Sequence, residues 1–127
     1  MSDFYGMVRE WHETFGAAVR DELSLDVPEN ALRVSLLEEE YTELMDGIAA
    51  GDIENVAKEM ADLIYVICGA ALTWGIPLPA VFKEVQRSNM SKLGEDGKPV
   101  LRADGKILKG ENYSEADLGP ILWPPVA

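Results

Sequence analysis

Apolar residues recur at helical intervals along the first two thirds of the chain, and the pattern then breaks. Phe4, Val8, Trp11, Phe15 and Val19 step by threes and fours, which predicts a first helix over about Asp3 to Val19. A linker follows, and Pro28-Glu29-Asn30 marks a new helix start. The second helix is expected from about Ala31 to Ala50, ending at Gly51. Asp52 then suits an N-cap for a third helix running to about Trp74, before Gly75-Ile76-Pro77 stops it. Pro79 fits the first turn of a fourth helix that reaches about Met90. Val100 to Leu108 reads as two short extended pieces around Asp104-Gly105, a hairpin turn dipeptide. The tail carries Pro120, Pro124 and Pro125 and shows no helical period. The expected fold class is all-α: four helices of bundle type with a short C-terminal extended or hairpin arm. It forms a single domain over 1–127, with a helical core about 3–92 and an arm about 93–127.

Two acidic signatures interrupt the apolar pattern, Glu39-Glu40-x-x-Glu43 and Glu59-x-x-Asp62. At about 100° per residue, Glu40 projects between Leu36 and Leu44, with Leu37 and Ile48 nearby. Glu59 projects among Val56, Leu63, Val66 and Ala70. A charge at the centre of an apolar stripe must be protonated, paired or bound to a metal. The second and third helices have a short connection, so they form an antiparallel hairpin. Counted from its turn near Ala49, Glu40 and Glu59 are at nearly equal height, roughly 14–15 Å away at ~1.5 Å per residue. Glu43 and Asp62 lie on the neighbouring turns, so four carboxylates meet across one seam with Glu39 on its flank. Such a set, without histidine or thiol, offers hard oxygen ligands for Mg²⁺ or Mn²⁺. A di-iron bundle calls for Glu-x-x-His pairs, which the single histidine, His12, does not supply. Bound magnesium bridges phosphate oxygens and activates water, and one surplus carboxylate serves as general base.

Charge sharpens this picture. Of the net −12, residues 1–62 hold 16 acids and 4 bases, while residues 63–127 hold 7 of each. So acidic a chain repels nucleic acid, which is not expected as a partner. Lys83 to Lys109 carries seven bases against four acids. A metal–polyphosphate substrate suits that asymmetry, as does a merely solvated surface. Arg102, Lys106 and Lys109 on the hairpin are candidates to close over a triphosphate, or are simply solubilising. Trp11 is expected to pack in the core, and His12 to play a structural or supporting role. The single Cys68, in an apolar run, reads as core filler and suits a reducing, cytoplasmic setting. No apolar run approaches the ~18 residues of a membrane span, and no membrane association is expected.

The acidic pattern, in the setting Leu37-Glu38-Glu39-Glu40-x-x-Glu43-Leu44 and Glu59-Met60-Ala61-Asp62-Leu63, resembles the all-α nucleoside triphosphate pyrophosphohydrolases. That superfamily includes MazG, dimeric dUTPases and phosphoribosyl-ATP pyrophosphohydrolases. Val81–Leu93, Arg102–Tyr113 and Val8-Arg9-Glu10-Trp11-His12-Glu13-x-Phe15-Gly16 are similar to its MazG-like, phosphoribosyl-ATP pyrophosphohydrolase-like branch. The resemblance implies Glu40, Glu43, Glu59 and Asp62 as Mg²⁺ ligands, with Glu39 a further ligand or the base orienting water. It implies Asn89 and Lys92 as contacts to nucleotide phosphate or sugar. The implied activity cleaves the α–β phosphate link of a nucleoside or deoxynucleoside triphosphate, giving monophosphate and pyrophosphate. A homodimer or dimer of dimers is implied as well, consistent with Trp74, Ile121 and Trp123 lacking an evident internal partner. The alternatives are phosphoribosyl-ATP hydrolysis and a non-catalytic acidic helical module.

Overall fold

The computed structural model describes residues 3–125 and divides into two compact units, one reaching to Leu78 and one starting at Pro79. In chain order the elements are α1 (Phe4–Phe15), α2 (Asn30–Ala50), α3 (Ile53–Trp74), α4 (Leu78–Met90), β1 (Val100–Leu101), β2 (Ile107–Leu108) and α5 (Gly119–Leu122). The protein is therefore all-α with four main helices and one small hairpin, as expected. Among the described residues, no single helix is long and apolar enough to cross a membrane.

The first unit is a helical hairpin with α1 packed on its second arm. Asp52 caps α3 by accepting from the Asn55 amide at 3.2 Å, and Gly51 closes α2 in the left-handed region. Between α2 and α3 the backbones approach closely: a Cβ on Gly47 would meet Asn55 Nδ2 at 3.0 Å and Val56 Cγ2 at 3.4 Å. α1 ends sooner than its apolar period predicts, because Gly16 turns the chain at φ 79. The released segment runs across the C-terminal end of α3 instead. There the Arg20 and Ser24 amides donate to the Leu72 and Trp74 carbonyls, and Arg20 Nη1 donates to Thr73 O at 3.0 Å. These bonds satisfy carbonyls that a helix end leaves without partners. Gly75 is needed in that corner, since its φ is 71 and a Cβ would lie 2.2 Å from Glu22 O.

The stripe read on the first helix is only partly the buried one. Val8 and His12 are covered, whereas Phe4, Trp11 and Phe15 are exposed. Val8, Cys68 and Leu72 form the core cluster, with Tyr5, Val19 and Leu78 against it, so Cys68 is core filler as expected. Trp74 does have an internal partner, contrary to expectation: its indole N–H donates to Asn30 Oδ1 at 3.1 Å.

In the second unit, β1 and β2 pair antiparallel with Val100 opposite Leu108 and Leu101 opposite Ile107. Their turn contains Asp104-Gly105, with Gly105 at φ 87. The tail, read as lacking helix, forms the single turn α5, with Pro120 in its first turn. Glu84 and Arg87 of α4 pair through Nε at 2.6 Å, and Glu84 accepts from the Asp117 amide at 2.7 Å. The Ser91 hydroxyl accepts from the Ser114 amide at 2.8 Å, so this unit's tail lies on α4.

Candidate metal centre

The α2–α3 seam includes charged side chains and a glycine as well as apolar residues. On α2 the line facing α3 is buried Arg33, then half-buried Glu40, then buried Gly47, each seven residues apart. Seven residues turn an α-helix by about 700°, so the three share one face. On α3, Glu59 is only 6% exposed. Half-buried Leu36, Leu37 and Leu44 flank Glu40, and Val56, Leu63 and Val66 flank Glu59, which exclude water from the seam.

One oxygen each from Glu40, Glu43 and Glu59 lie within 4.8 Å of one another. Glu40 Oε2 and Glu59 Oε2 are buried and have no hydrogen-bond partner. Burial first, and then Glu59, Glu43 and Asp62, push the Glu40 carboxyl up to about 7. The neighbouring Glu59 carboxylate, followed by burial, raises Glu43 as well. Without a cation, then, Glu40 retains its proton to a higher pH than an ordinary carboxylate does. Unpartnered, inward-facing oxygens with no nitrogen or sulfur among them fit a hard divalent cation.

Asp62 stands at the edge of this group, and its carboxylate is held by Lys58 Nζ at 2.6 Å. The same ammonium is 3.6 Å from Glu59 Oε1, and Asp62 and Glu59 both help keep Lys58 protonated. Glu39 is exposed on the flank, near enough for its charge to raise Glu43. So the structure gathers Glu40, Glu43 and Glu59, places Glu39 beside them, and ties Asp62 to Lys58.

The five residues expected to contact substrate all belong to the second unit. Asn89 is exposed near the end of α4, and its carbonyl accepts from the Lys92 amide at 3.2 Å. Lys92 is half-buried and its carbonyl accepts from the Gly110 amide at 2.9 Å. Arg102 grips Asp104 through Nε at 2.8 Å, and Lys109 Nζ sits 4.7 Å from the Tyr113 ring centre. Lys106 is exposed and its amide donates to Asp104 at 3.1 Å. A concavity of about 450 Å³ in this unit is lined by Glu95, Asp96 and Glu111 as well as Lys109. Three acids against one base make it a poor seat for a polyanion.

Two charged residues on these helices, one beside the carboxylates and one two turns along α2, escaped the sequence reading. Lys58 is visible in retrospect as the i,i+4 partner of Asp62. Arg33 is 8% exposed, and its Nε is buried without a partner. A Cβ on Gly69 would meet both Arg33 Nη1 and His12 Nε2 at 3.0 Å, so this glycine makes room for the two side chains. His12 Nδ1 is 3.1 Å from the Ala18 carbonyl. Burial, and secondarily the Arg33 charge, hold the His12 imidazole below its usual range despite that bond. His12 is thus a neutral structural group.

No curated protein matches this chain. Residues 8–89, which contain the whole carboxylate group, match the profile of a family described as phosphoribosyl-ATP pyrophosphohydrolase.

Proposed function

The chain belongs to the phosphoribosyl-ATP pyrophosphohydrolase family, a MazG-like all-α branch of hydrolases acting on nucleotides, and from that premise we propose that it is a Mg²⁺-dependent nucleoside or deoxynucleoside triphosphate pyrophosphohydrolase, with Mn²⁺ able to substitute. The observation that carries the reading is the trio Glu40, Glu43 and Glu59, one oxygen from each within 4.8 Å of the others, in which Glu40 and Glu59 each also have a buried, unpartnered oxygen. Glu40, Glu43 and Glu59 hold the cation, and Asp62 joins them when it leaves Lys58. When bound, the cation neutralises charge on the phosphate oxygens and favours a deprotonated water.

The remaining chemistry falls to the chain's own groups. Glu39, exposed beside Glu43, orients the attacking water and takes its proton; Glu40 is the other carboxylate given a catalytic role. The water oxygen forms a bond to the α-phosphorus while the bond from that phosphorus to the bridging oxygen breaks. Pyrophosphate departs with the bonding pair, and the monophosphate remains. Asn89, Lys92, Arg102, Lys106 and Lys109 of the second unit contact the nucleotide. Arg102 and Lys109 then exchange Asp104 and the Tyr113 ring for phosphate oxygens. Both units serve one catalytic domain, and the protein works as a homodimer or dimer of dimers.

The family's own description favours a second reading, in which phosphoribosyl-ATP is the substrate. Released pyrophosphate, measured with Mg²⁺ over all ribo- and deoxyribonucleoside triphosphates and phosphoribosyl-ATP, decides between them. Turnover of triphosphates well above phosphoribosyl-ATP supports the first reading, and the reverse order establishes the second. Cation binding without turnover of any of them leaves the non-catalytic module.

A further inference from the structure

A single ammonium group stands among the seam carboxylates. The acidic stretch 1–62 holds four bases, Arg9, Arg20, Arg33 and Lys58. Arg9 pairs with Glu13 at 3.2 Å and Arg20 with Glu29 at 2.9 Å, acids that lie outside the metal centre. Arg33 is buried two turns along α2 from Glu40. Of the four, Lys58 alone reaches the carboxylates, and it does so from the solvent side. Its side chain is 68% exposed, and only its Nζ is held, at 2.6 Å from Asp62 and 3.6 Å from Glu59. A flexible stem anchored at its tip swings without disturbing the helix, and an ammonium accepts any partner geometry that a point charge with three donors can meet.

Its place along the seam is specific. Gly47 lies against Val56, and Arg33 against Gly69, which fixes the register of α2 and α3. In that register Glu39 is level with Leu63, and Lys58 is level with Leu44. Glu40, Glu43 and Glu59 lie between those two heights, which are about 8 Å apart at ~1.5 Å per residue. Glu39 projects about 100° around α2 from Glu40, and Lys58 about 100° around α3 from Glu59, in the same rotational sense. In antiparallel helices, equal rotations of the same sense from a shared seam reach the same side of the hairpin. Glu43 and Asp62 turn to that side too, by about 60°. Glu39 and Lys58 therefore bracket one face of the carboxylate group, one at each end.

In-line displacement at phosphorus puts the attacking and leaving oxygens on opposite sides of the reacting centre. With Glu39 orienting the water at one end, the leaving group departs toward the other, where Lys58 is the cation at hand. We propose that Lys58 is the catalytic residue that serves the departing pyrophosphate. In the cation-free site its ammonium offsets the mutual repulsion of Asp62 and Glu59. When those carboxylates turn to a divalent cation, Lys58 is released and donates a hydrogen bond to a non-bridging oxygen of the β-phosphate. As the bond from the α-phosphorus to the bridging oxygen breaks, the bonding pair stays with the pyrophosphate. The ammonium stabilises the negative charge that collects there and keeps its own proton. The inference rests on the pyrophosphohydrolase reading and adds to it the group that meets the leaving half of the substrate.

The test is calorimetric titration of the full chain with inorganic pyrophosphate in saturating Mg²⁺, for wild type, Lys58→Met and Lys58→Arg. The monophosphate released from the best-turned-over nucleotide is the second probe. Loss of one charge-assisted hydrogen bond predicts pyrophosphate binding about ten- to hundredfold weaker in Lys58→Met, with monophosphate binding within about twofold of wild type. Lys58→Arg keeps the charge and is expected to regain most of the loss. Mg²⁺ alone should bind Lys58→Met at least as tightly as wild type, which also shows that the variant is folded, while its kcat falls. Undiminished pyrophosphate binding in Lys58→Met, or an equal loss for both products, overturns the assignment and leaves the hydrolase standing. A wild type that releases pyrophosphate from no nucleotide overturns the hydrolase reading and this inference together.

Discussion

Replacing Glu59 with glutamine has an effect whose sign reverses with magnesium. Glu59 is 6% exposed, and one of its oxygens is within 4.8 Å of an oxygen from each of Glu40 and Glu43. At that separation a pair of full charges repels by about 2–3 kcal/mol at an effective dielectric of roughly 20–40. Glu40 is protonated about half the time near pH 7, which reduces the repulsion. The introduced side-chain amide also donates to the neighbouring carboxylates. Glu59→Gln in EDTA is therefore expected to be more stable than wild type by about 1–3 kcal/mol, roughly 4–10 °C in Tm for a chain of this size. With Mg²⁺ at about 100 times its dissociation constant, the wild type gains about 2.7 kcal/mol and the variant almost none. Thermal melts in EDTA and in ~10 mM MgCl₂ measure all four values. A variant less stable than wild type in EDTA, or one that keeps the full Mg²⁺ shift, refutes the argument that these carboxylates are held together for a cation.

The same strain sets a pH dependence. Glu40 is raised from 4.5 to about 7, so its contribution to stability is complete below pH 4.5 and disappears as pH rises through 7. The Tm of the metal-free protein should accordingly fall between about pH 5 and 8 and flatten on adding Mg²⁺; a flat or rising metal-free profile contradicts this. Lys58→Met removes a cation that competes for Asp62 and Glu59. It should tighten Mg²⁺ binding by about three- to tenfold in calorimetric titration, and weaker binding would assign Lys58 a supporting role instead. Gly69→Val drives a branched side chain into a place where even a Cβ meets Arg33 and His12 at 3.0 Å. Overpacking of about 2–3 kcal/mol then outweighs the gain of about 0.3–0.5 kcal/mol in helix propensity. Urea unfolding should show a net loss, and unchanged stability would mean that the two side chains move aside freely.

Legibility in the sequence followed the strength of the periodic signal. The helices from Asn30 to Met90 were readable because long apolar repeats ended at Gly51, Gly75 and prolines. Glu40 and Glu59 stood out because each broke such a repeat at its centre. Arg33 and Gly47 share that seam and were missed, since a line of Arg, Glu and Gly has no apolar signature. Spacing placed Asp62 with the other three carboxylates at the seam, and Lys58, one turn earlier, was not weighed as the group that holds it. On α1 the strongest apolar residues proved to be the exposed ones. Their period locates a helix but does not say which side its neighbour covers. The four residues of α5 are too few to show any period. The hairpin, by contrast, was evident from Asp104-Gly105, because a turn of that kind is encoded locally.

The central claim is that the carboxylate seam directs water to the α-phosphorus. The most direct measurement is ³¹P NMR of the products from the best-turned-over nucleotide with Mg²⁺, for wild type and Glu40→Gln. The account predicts monophosphate and pyrophosphate in equal amounts from the wild type and neither from Glu40→Gln. Diphosphate with inorganic phosphate, or undiminished turnover by Glu40→Gln, would contradict it.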